Sequence, residues 1–232
     1  DNATDIAMIV GSTGSDTILI GGNTSNTAQA RIRYIAGAAV PIDIPLTIRN
    51  ATTGNLLIEQ CRIAGLAGAD TIGFYTRSAI DAGIPGVNLP SGYSVLDTTF
   101  LAARSRDYVG VFDGNSGNDT LIGSAGRDQL DGGLGSDTLY GFAGDDRLWG
   151  DIGNGSINDN DRLFAGSGND DLIGGLGTNS LYAWSMDPLP AGDTQFGVYV
   201  DATGALFDND GGGTRQLEST GLNRMLGNER ND

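Results

Sequence analysis

The sequence contains no histidine and no lysine, and its only cysteine is Cys61. Zinc and copper sites are built mainly from His and Cys, so the chain has almost no ligands for them. A single cysteine cannot form a disulfide within the chain, and we expect Cys61 to be a small apolar residue in a buried strand. The sequence therefore excludes an internal disulfide and predicts neither zinc nor copper.

Sequence signatures of catalysis are missing as well. Neither G-x-S-x-G nor G-x-G-x-x-G occurs, and the lack of His and Lys removes two common general bases. Carboxylate pairs occur at Asp145–Asp146 and Asp170–Asp171, but a sequence repeat described below accounts for Asp146 and Asp170. We therefore predict that the chain is not an enzyme.

The charge balance is strongly acidic. The net charge is −16, from 13 basic and 29 acidic residues, and only Glu59, Glu218 and Glu229 are glutamate. Such a field repels nucleic acid, which we exclude as a partner. The short side chain of aspartate favours turns over helix surfaces.

No apolar run approaches the ~18 residues of a membrane span, and residues 1–4 do not resemble a signal peptide.

One nine-residue phrase occurs seven times between Gly114 and Tyr182. The copies are GNSGNDTLI from Gly114, GSAGRDQLD from Gly123, GGLGSDTLY from Gly132, GFAGDDRLW from Gly141, an interrupted copy from Gly150, AGSGNDDLI from Ala165 and GGLGTNSLY from Gly174. Their consensus, G-G-x-G-x-D-x-L-x, is a calcium-binding nonapeptide. Isolated copies begin at Gly11 and Gly65, and an incomplete one begins at Gly227.

Two phrases make eighteen residues, which we interpret as one turn of a parallel coil with a strand and a glycine-rich turn in each half. Aspartates eighteen residues apart then stack on one edge of the coil. Glycine allows main-chain carbonyl oxygens to converge, and stacked carboxylates complete a set of hard oxygen ligands. Calcium prefers such ligands.

Because one turn of the coil contains two phrases, alternate phrases place their position-six residues on two different edges. The first edge carries Asp119, Asp137, Asp161 and Asn179, and the second carries Asp128, Asp146 and Asp170. Adjacent pairs predict about five calcium ions, of which the Asn179 pair binds most weakly because an amide replaces a carboxylate. We also assign metal binding to Asp16, Asp70 and the turn glycines Gly117, Gly126, Gly132, Gly135, Gly141, Gly144, Gly153 and Gly168.

Positions eight and nine of the phrase predict the core and the outer faces. Position eight is always Leu, and we expect these side chains to point inward. Position nine should point outward, with an aromatic column of Ile122, Tyr140, Phe164 and Tyr182 on one sheet and Asp131, Trp149 and Ile173 on the other. Two alternatives stay open for the aromatic column: contact with another molecule, or cover by the N-terminal part of this chain.

The phrases divide the chain into residues 1–112, 113–182 and 183–232. The first part has short β-branched runs that read as strands at 30–35, 42–49, 55–63, 71–76 and 92–101. We prefer a continued, irregular β-solenoid here, with a separate sandwich as the alternative. The last part is a spacer with a strand at 197–201 that leads into the incomplete phrase.

The tandem phrases GGLGSDTLY and GFAGDDRLW resemble those of the RTX (repeats-in-toxin, hemolysin-type) family. The resemblance implies an all-β fold, a right-handed parallel β-roll that binds Ca²⁺ through its Gly-Asp turns. It also implies export of the unfolded chain by the type I route and folding outside the cell or at the bacterial surface. Ala165, Asn179 and the six-residue insertion at 154–159 depart from the family pattern.

Two functions are compatible with this resemblance. The first is a structural module of a surface protein of the S-layer or adhesin type, with self-association, or contact with other blocks of its parent protein, through the aromatic column. The second is an accessory folding and secretion domain of a secreted enzyme or toxin.

Overall fold

A computed structural model shows a nearly all-β chain. The structure describes residues 6–26, 28–48, 58–96, 108–151, 158–167 and 170–182, the single residues 52 and 156, and the main chain of 198–200, 206–208 and 224–226. Within these ranges, no helix is long and apolar enough to cross a membrane. The predicted all-β class is confirmed.

The first of two large sheets, sheet A, has seven strands that are all parallel to their neighbours. In spatial order they are β1 (Ile6–Val10), β5 (Gln60–Ala64), β8 (Gly110–Asp113), β10 (Gln129–Asp131), β12 (Arg147–Trp149), β14 (Asp171–Ile173) and β18 (Arg224–Leu226).

The second, sheet B, has nine strands. Six parallel strands form its main part: β15 (Ser180–Tyr182), β13 (Arg162–Ser167), β11 (Thr138–Ala143), β9 (Thr120–Ile122), β6 (Thr71–Phe74) and β2 (Asp16–Asn23). Three antiparallel strands extend it at β2: β3 (Gln29–Ala36), β4 (Ile42–Thr47) and β7 (Tyr93–Ser94).

From β8 to β15 the chain alternates between the two sheets, one phrase at a time. Each phrase contributes a short strand, and its Leu at position eight pairs in register with the Leu of the next strand in that sheet. Leucines from both sheets meet in one apolar cluster, which fills the space between the sheets. Leu121, Leu130, Leu139, Leu148, Leu163 and Leu172 are all fully buried, and Leu181 packs against the cluster.

Strands from the N-terminal part lie in the same two sheets. Strands β1 and β5 continue sheet A, and β2 and β6 continue sheet B. Ile18, Ile63 and Ile72 take the place of Leu in the shared core, beside the buried Cys61. Burial raises the pKa of the Cys61 thiol to about 12, as expected for an inert apolar residue.

The strands predicted between residues 30 and 76 occur with shifted ends, and the short helix α1 (Arg77–Asp81) was not predicted. Thr76 caps α1 by accepting the Ala79 N–H on its hydroxyl. A five-residue helix is too short to show a helical period in the sequence. In the predicted strand at 92–101, residues 93–94 form β7, and residues 97–101 lie outside the described part.

The C-terminal part contains two strands that the sequence does not predict. Strands β16 (Val198–Val200) and β17 (Leu206–Asp208) form an antiparallel pair, and β16 corresponds to the strand predicted at 197–201. Strand β18 then pairs with β14, with Met225 beside Leu172. The ladder of sheet A therefore resumes one strand before the incomplete phrase at Gly227.

Candidate metal centre

The aspartates of the first edge form a continuous ladder. Each places Oδ1 on the main-chain N–H of the position-six residue one turn earlier, at 2.6–2.8 Å. The ladder runs through Asp16, Asp70, Asp119, Asp137, Asp161 and Asn179. The turn at each step is thus held by a side chain of the next turn, even across the insertion before Asp161.

The second edge repeats this arrangement. The Asp146 N–H donates to Asp170 at 2.9 Å, and the Asp128 N–H donates to Asp146 at 2.8 Å. Asp128 in turn accepts the Gly110 N–H at 2.7 Å. The structure thus brings together the predicted aspartates of each edge, and it adds Asp16 and Asp70 to the first.

The second carboxylate oxygen, Oδ2, has no hydrogen-bond partner in most of these turns. The aspartates are at most 2% exposed, so bulk solvent does not reach these oxygens. A buried acceptor without a donor is costly, and a buried unpaired charge costs more. The oxygens concerned are those of Asp70, Asp119, Asp137, Asp146, Asp161 and Asp170.

This burial moves the titration of the carboxyl groups toward neutrality. Desolvation raises the pKa of Asp119, Asp137 and Asp161 to about 7 from an ordinary value of 3.8, and N–H donors offset only part of the rise. Burial together with the neighbouring Asp128 and Asp170 raises the pKa of Asp146 well above that value. The Oδ2 atoms without hydrogen-bond donors therefore need a positively charged partner for the carboxylates to stay ionised.

Glycine at position one leaves a cradle beside five of these six oxygens; the phrase of Asp170 begins with Ala165 instead. A Cβ added at Gly141 would lie 2.6 Å from Asp146 Oδ2 and 2.5 Å from the Ala165 carbonyl oxygen of the next turn. At Gly132 the added atom would meet Asp137 Oδ2 and the Gly150 carbonyl oxygen in the same way. A carboxylate oxygen and a main-chain carbonyl of the next turn thus converge where a side chain would otherwise stand.

Of the glycines at position one, the sequence predicts only Gly132 and Gly141 as metal ligands. The structure gives the same surroundings to Gly65, Gly114 and Gly150, where an added Cβ would also meet an aspartate Oδ2 and a stacked carbonyl oxygen. These glycines occupy the same position in the phrase. Comparing all copies at position one would have identified them from sequence.

Glycine at position four has a different task. Gly117, Gly135 and Gly144 have φ of 140°, 126° and 128°, which L side chains rarely adopt. A Cβ added at any of the three would overlap the carbonyl oxygen of the glycine one turn earlier, which for Gly144 is Gly126. These three glycines therefore allow close stacking of turns. The predicted ligands Gly153 and Gly168 lie outside the described residues.

No three His, Cys, Asp or Glu side chains converge on one point in the part of the chain described. A cation bound here would therefore depend on main-chain carbonyl oxygens as well as on carboxylates. This is the donor set that calcium uses.

Of the two alternatives for the aromatic column, the structure shows the second, cover by the N-terminal part of this chain. Ile122, Tyr140 and Phe164 are 0%, 6% and 3% exposed, and Tyr182 at the end is half-buried. Neighbouring rings stack with centroids 4.9 and 4.4 Å apart. The cover comes from this chain, through Leu19, Tyr75, Ala79, Ile84, Val87 and Tyr93. Burying large apolar side chains against α1 and the residues after it is favourable.

The RTX calcium-binding nonapeptide repeat matches the chain in four copies, over residues 110–139, 126–157 and 158–185. Residues 110–185 belong to the RTX repeat family. The match includes five of the six aspartates with an unpartnered Oδ2, and Asp70 precedes it. Comparison with curated proteins and with solved structures gives no significant match.

RTX repeats bind Ca²⁺, and the residues of this chain fit that ion. Buried oxygens without donors and glycine cradles lined by carbonyl oxygens are what a hard cation requires. The aspartates would supply negative charge through Oδ2, while Oδ1 keeps each turn in register. Calcium, when bound, would supply the positive charge that lets these carboxylates stay ionised in a buried place.

The raised pKa values predict an unusual pH dependence of the calcium-free fold. An aspartate with a pKa of about 7 when folded and 3.8 when unfolded contributes stability that is full below pH ~4. That contribution is lost as the pH rises through 7. In chelator, we expect the folded fraction of the chain to rise when the pH falls from 8 to 5.

With saturating calcium the direction should reverse, because protons then compete with the ion for the carboxylates. Far-UV circular dichroism at both pH values, with calcium and with chelator, measures both directions. A calcium-free chain that loses strand signal on acidification would contradict the assigned burial of the carboxylates.

Proposed function

We propose that the chain is a calcium-dependent structural module of a secreted protein, located outside the cell or at a bacterial cell surface. The supporting observation is the set of buried Oδ2 atoms without donors. Five of them, at Asp119, Asp137, Asp146, Asp161 and Asp170, lie within residues 113–182, in keeping with about five calcium ions there. Asp70 provides a further candidate position.

The proposed fold is a right-handed parallel β-roll. Its support is the alternation of successive phrases between two parallel sheets that share one core. Right-handed crossovers between parallel strands are nearly universal. Within this proposal, residues 113–182 are the regular roll, residues 1–112 an irregular part of the same solenoid, and residues 183–232 a spacer that returns to it.

The extracellular setting follows from affinity and charge. Extracellular calcium modules have dissociation constants of about 10⁻⁴–10⁻³ M, far above the calcium concentration in a cytosol. A chain of net charge −16 with stacked carboxylates repels itself until cations neutralise the turns. It would therefore stay unfolded during type I export and fold outside.

An S-layer or adhesin type of scaffold is the role we favour. Strands on both sides of the matched repeats extend the same sheets: β1 and β5 on one side and β18 on the other. A long, calcium-stiffened ladder suits a structural role. An accessory folding domain of a secreted enzyme or toxin is the alternative, and the sequence of the parent protein would distinguish the two.

Calorimetric titration of the calcium-free chain tests the proposed function. We expect about five to six ions, with dissociation constants of about 10⁻⁴–10⁻³ M. Magnesium is the matched control, because it demands a smaller octahedral site and releases its water reluctantly. Absence of calcium binding, or equal binding of magnesium at the same concentrations, would contradict the proposal.

A further inference from the structure

Three position-six side chains differ from the rest because the chain itself satisfies them. In the turn from Gly11, the Ser12 N–H donates to Asp16 Oδ2, and the Ser12 hydroxyl lies 3.1 Å from Asp16 Oδ1. The same hydroxyl accepts the Gly14 N–H at 3.1 Å. Asp16 therefore has donors on both oxygens.

The turn from Gly123 repeats this arrangement closely. The Ser124 N–H and hydroxyl both donate to Asp128 Oδ2, at 2.6 and 2.8 Å, and the hydroxyl accepts the Gly126 N–H at 3.0 Å. In both turns serine stands at position two of the phrase. Leu66, Asn115 and Phe142 stand there in other copies with φ of 82°, 69° and 72°, and the aspartates of those copies keep an unpartnered Oδ2.

In the turn from Gly174, the residue at position six is Asn179 instead of an aspartate. Asn179 keeps the hydrogen bond that links successive turns, because its Oδ1 accepts the Asp161 N–H at 2.8 Å. Its Nδ2 takes the place of Oδ2: a Cβ added at Gly174 would lie 2.7 Å from it. The amide nitrogen donates to the Gly175 and Leu176 carbonyl oxygens, each at 3.5 Å. A donor thus stands where the other turns offer an acceptor to a cation.

These three turns lie at ends of the described edges. Asp16 is at the N-terminal end of the first edge and Asn179 at its C-terminal end. Asp128 begins the second edge, since its Oδ1 accepts from Gly110 and not from an aspartate. The fourth end, at Asp170 on the second edge, has no such arrangement, and its Oδ2 has no hydrogen-bond partner.

We propose that the Ser12–Asp16 and Ser124–Asp128 pairs and Asn179 are caps that end the calcium columns, so that cations bind only at the turns between them. The proposal rests on the proposed calcium binding and adds to it which turns exclude the ion. The capped turns need no cation of their own, and they define both ends of the first column and the start of the second.

Two substitutions in the full chain remove a cap. Asn179→Asp restores the carboxylate. Asn160→Asp is its control, because this substitution adds the same negative charge at an exposed position of the neighbouring turn. Ser124→Gly removes the hydroxyl and allows positive φ at position two. Ser116→Gly is its control, because the Ser116 hydroxyl donates to the Leu66 carbonyl and contacts no carboxylate.

Native mass spectrometry and calorimetry with calcium alone count the bound ions. We expect Asn179→Asp and Ser124→Gly each to bind one ion more than the unsubstituted chain. Both controls should bind the same number of ions as the unsubstituted chain. Circular dichroism in calcium confirms that each variant is folded before ions are counted.

An unchanged count in folded Asn179→Asp and Ser124→Gly would overturn the caps while leaving calcium binding intact. An increase in the controls as large as in the cap variants would overturn them too, because any added charge or flexibility would then suffice. A parent chain that binds no calcium would overturn both the caps and the proposed function.

Discussion

Gly135→Ala is expected to destabilise the calcium-bound fold by about 2–5 kcal/mol, from ~1–2 for a left-handed backbone and ~1–3 for overpacking. Gly135 has φ of 126°, and an added Cβ would overlap the Gly117 carbonyl oxygen of the turn below. That oxygen belongs to the main chain of a stacked turn and cannot rotate away. The two turns must separate, which also pulls Asp119 and Asp137 apart. Denaturant unfolding in saturating calcium measures the loss of stability.

Gly83→Ala is the matched control. Gly83 also has positive φ, 65°, but an added Cβ would meet nothing within 4 Å. It should cost only the backbone part, about 1–2 kcal/mol, and leave calcium affinity unchanged. If the two variants lose equal stability and bind calcium equally well, close stacking of the turns is not what these glycines provide.

The repeat predicted much of the candidate site because a fixed period carries geometric information. Eighteen residues per turn placed Asp119 and Asp137 on one edge and Asp128 and Asp146 on the other, and the structure joins each pair by an N–H to Oδ1 bond. The same period identified the buried leucines. Where the phrase is intact, the sequence determines both which residues stack and which face the core.

The period could not predict what covers an outer face. Tyr140 and Phe164 point away from the leucine core as expected, yet they are buried by residues near α1. That contact joins segments far apart in the sequence, and no local pattern encodes it. Strand β18 was not predicted because Met225, which pairs with Leu172, lies in none of the identified copies of the phrase, and a long segment separates β18 from its partner β14.

The consensus of the phrase also does not predict the serine caps. Position two of the phrase is variable, so Ser12 and Ser124 resemble ordinary turn residues until their hydrogen bonds to Asp16 and Asp128 are known. Asn179, in contrast, was recognisable from sequence as a departure from Asp. Its consequence, a donor in place of an acceptor, required the orientation of the amide.

The largest expected effect is that of removing calcium. Each buried carboxylate left ionised without a partner costs several kcal/mol, and a domain has only about 5–15 kcal/mol of net stability. Six such oxygens, at Asp70, Asp119, Asp137, Asp146, Asp161 and Asp170, are found in the described residues. Their summed cost exceeds that stability at a pH where they are ionised. The calcium-free chain should therefore be largely unfolded at pH 8.

Far-UV circular dichroism of the full chain at pH 8 tests this account most directly, first with millimolar calcium, then with excess chelator, then with calcium restored. The account predicts a strand spectrum that is lost in chelator and returns with calcium, while magnesium does not restore it. A strand spectrum that is the same with calcium and with chelator would contradict it.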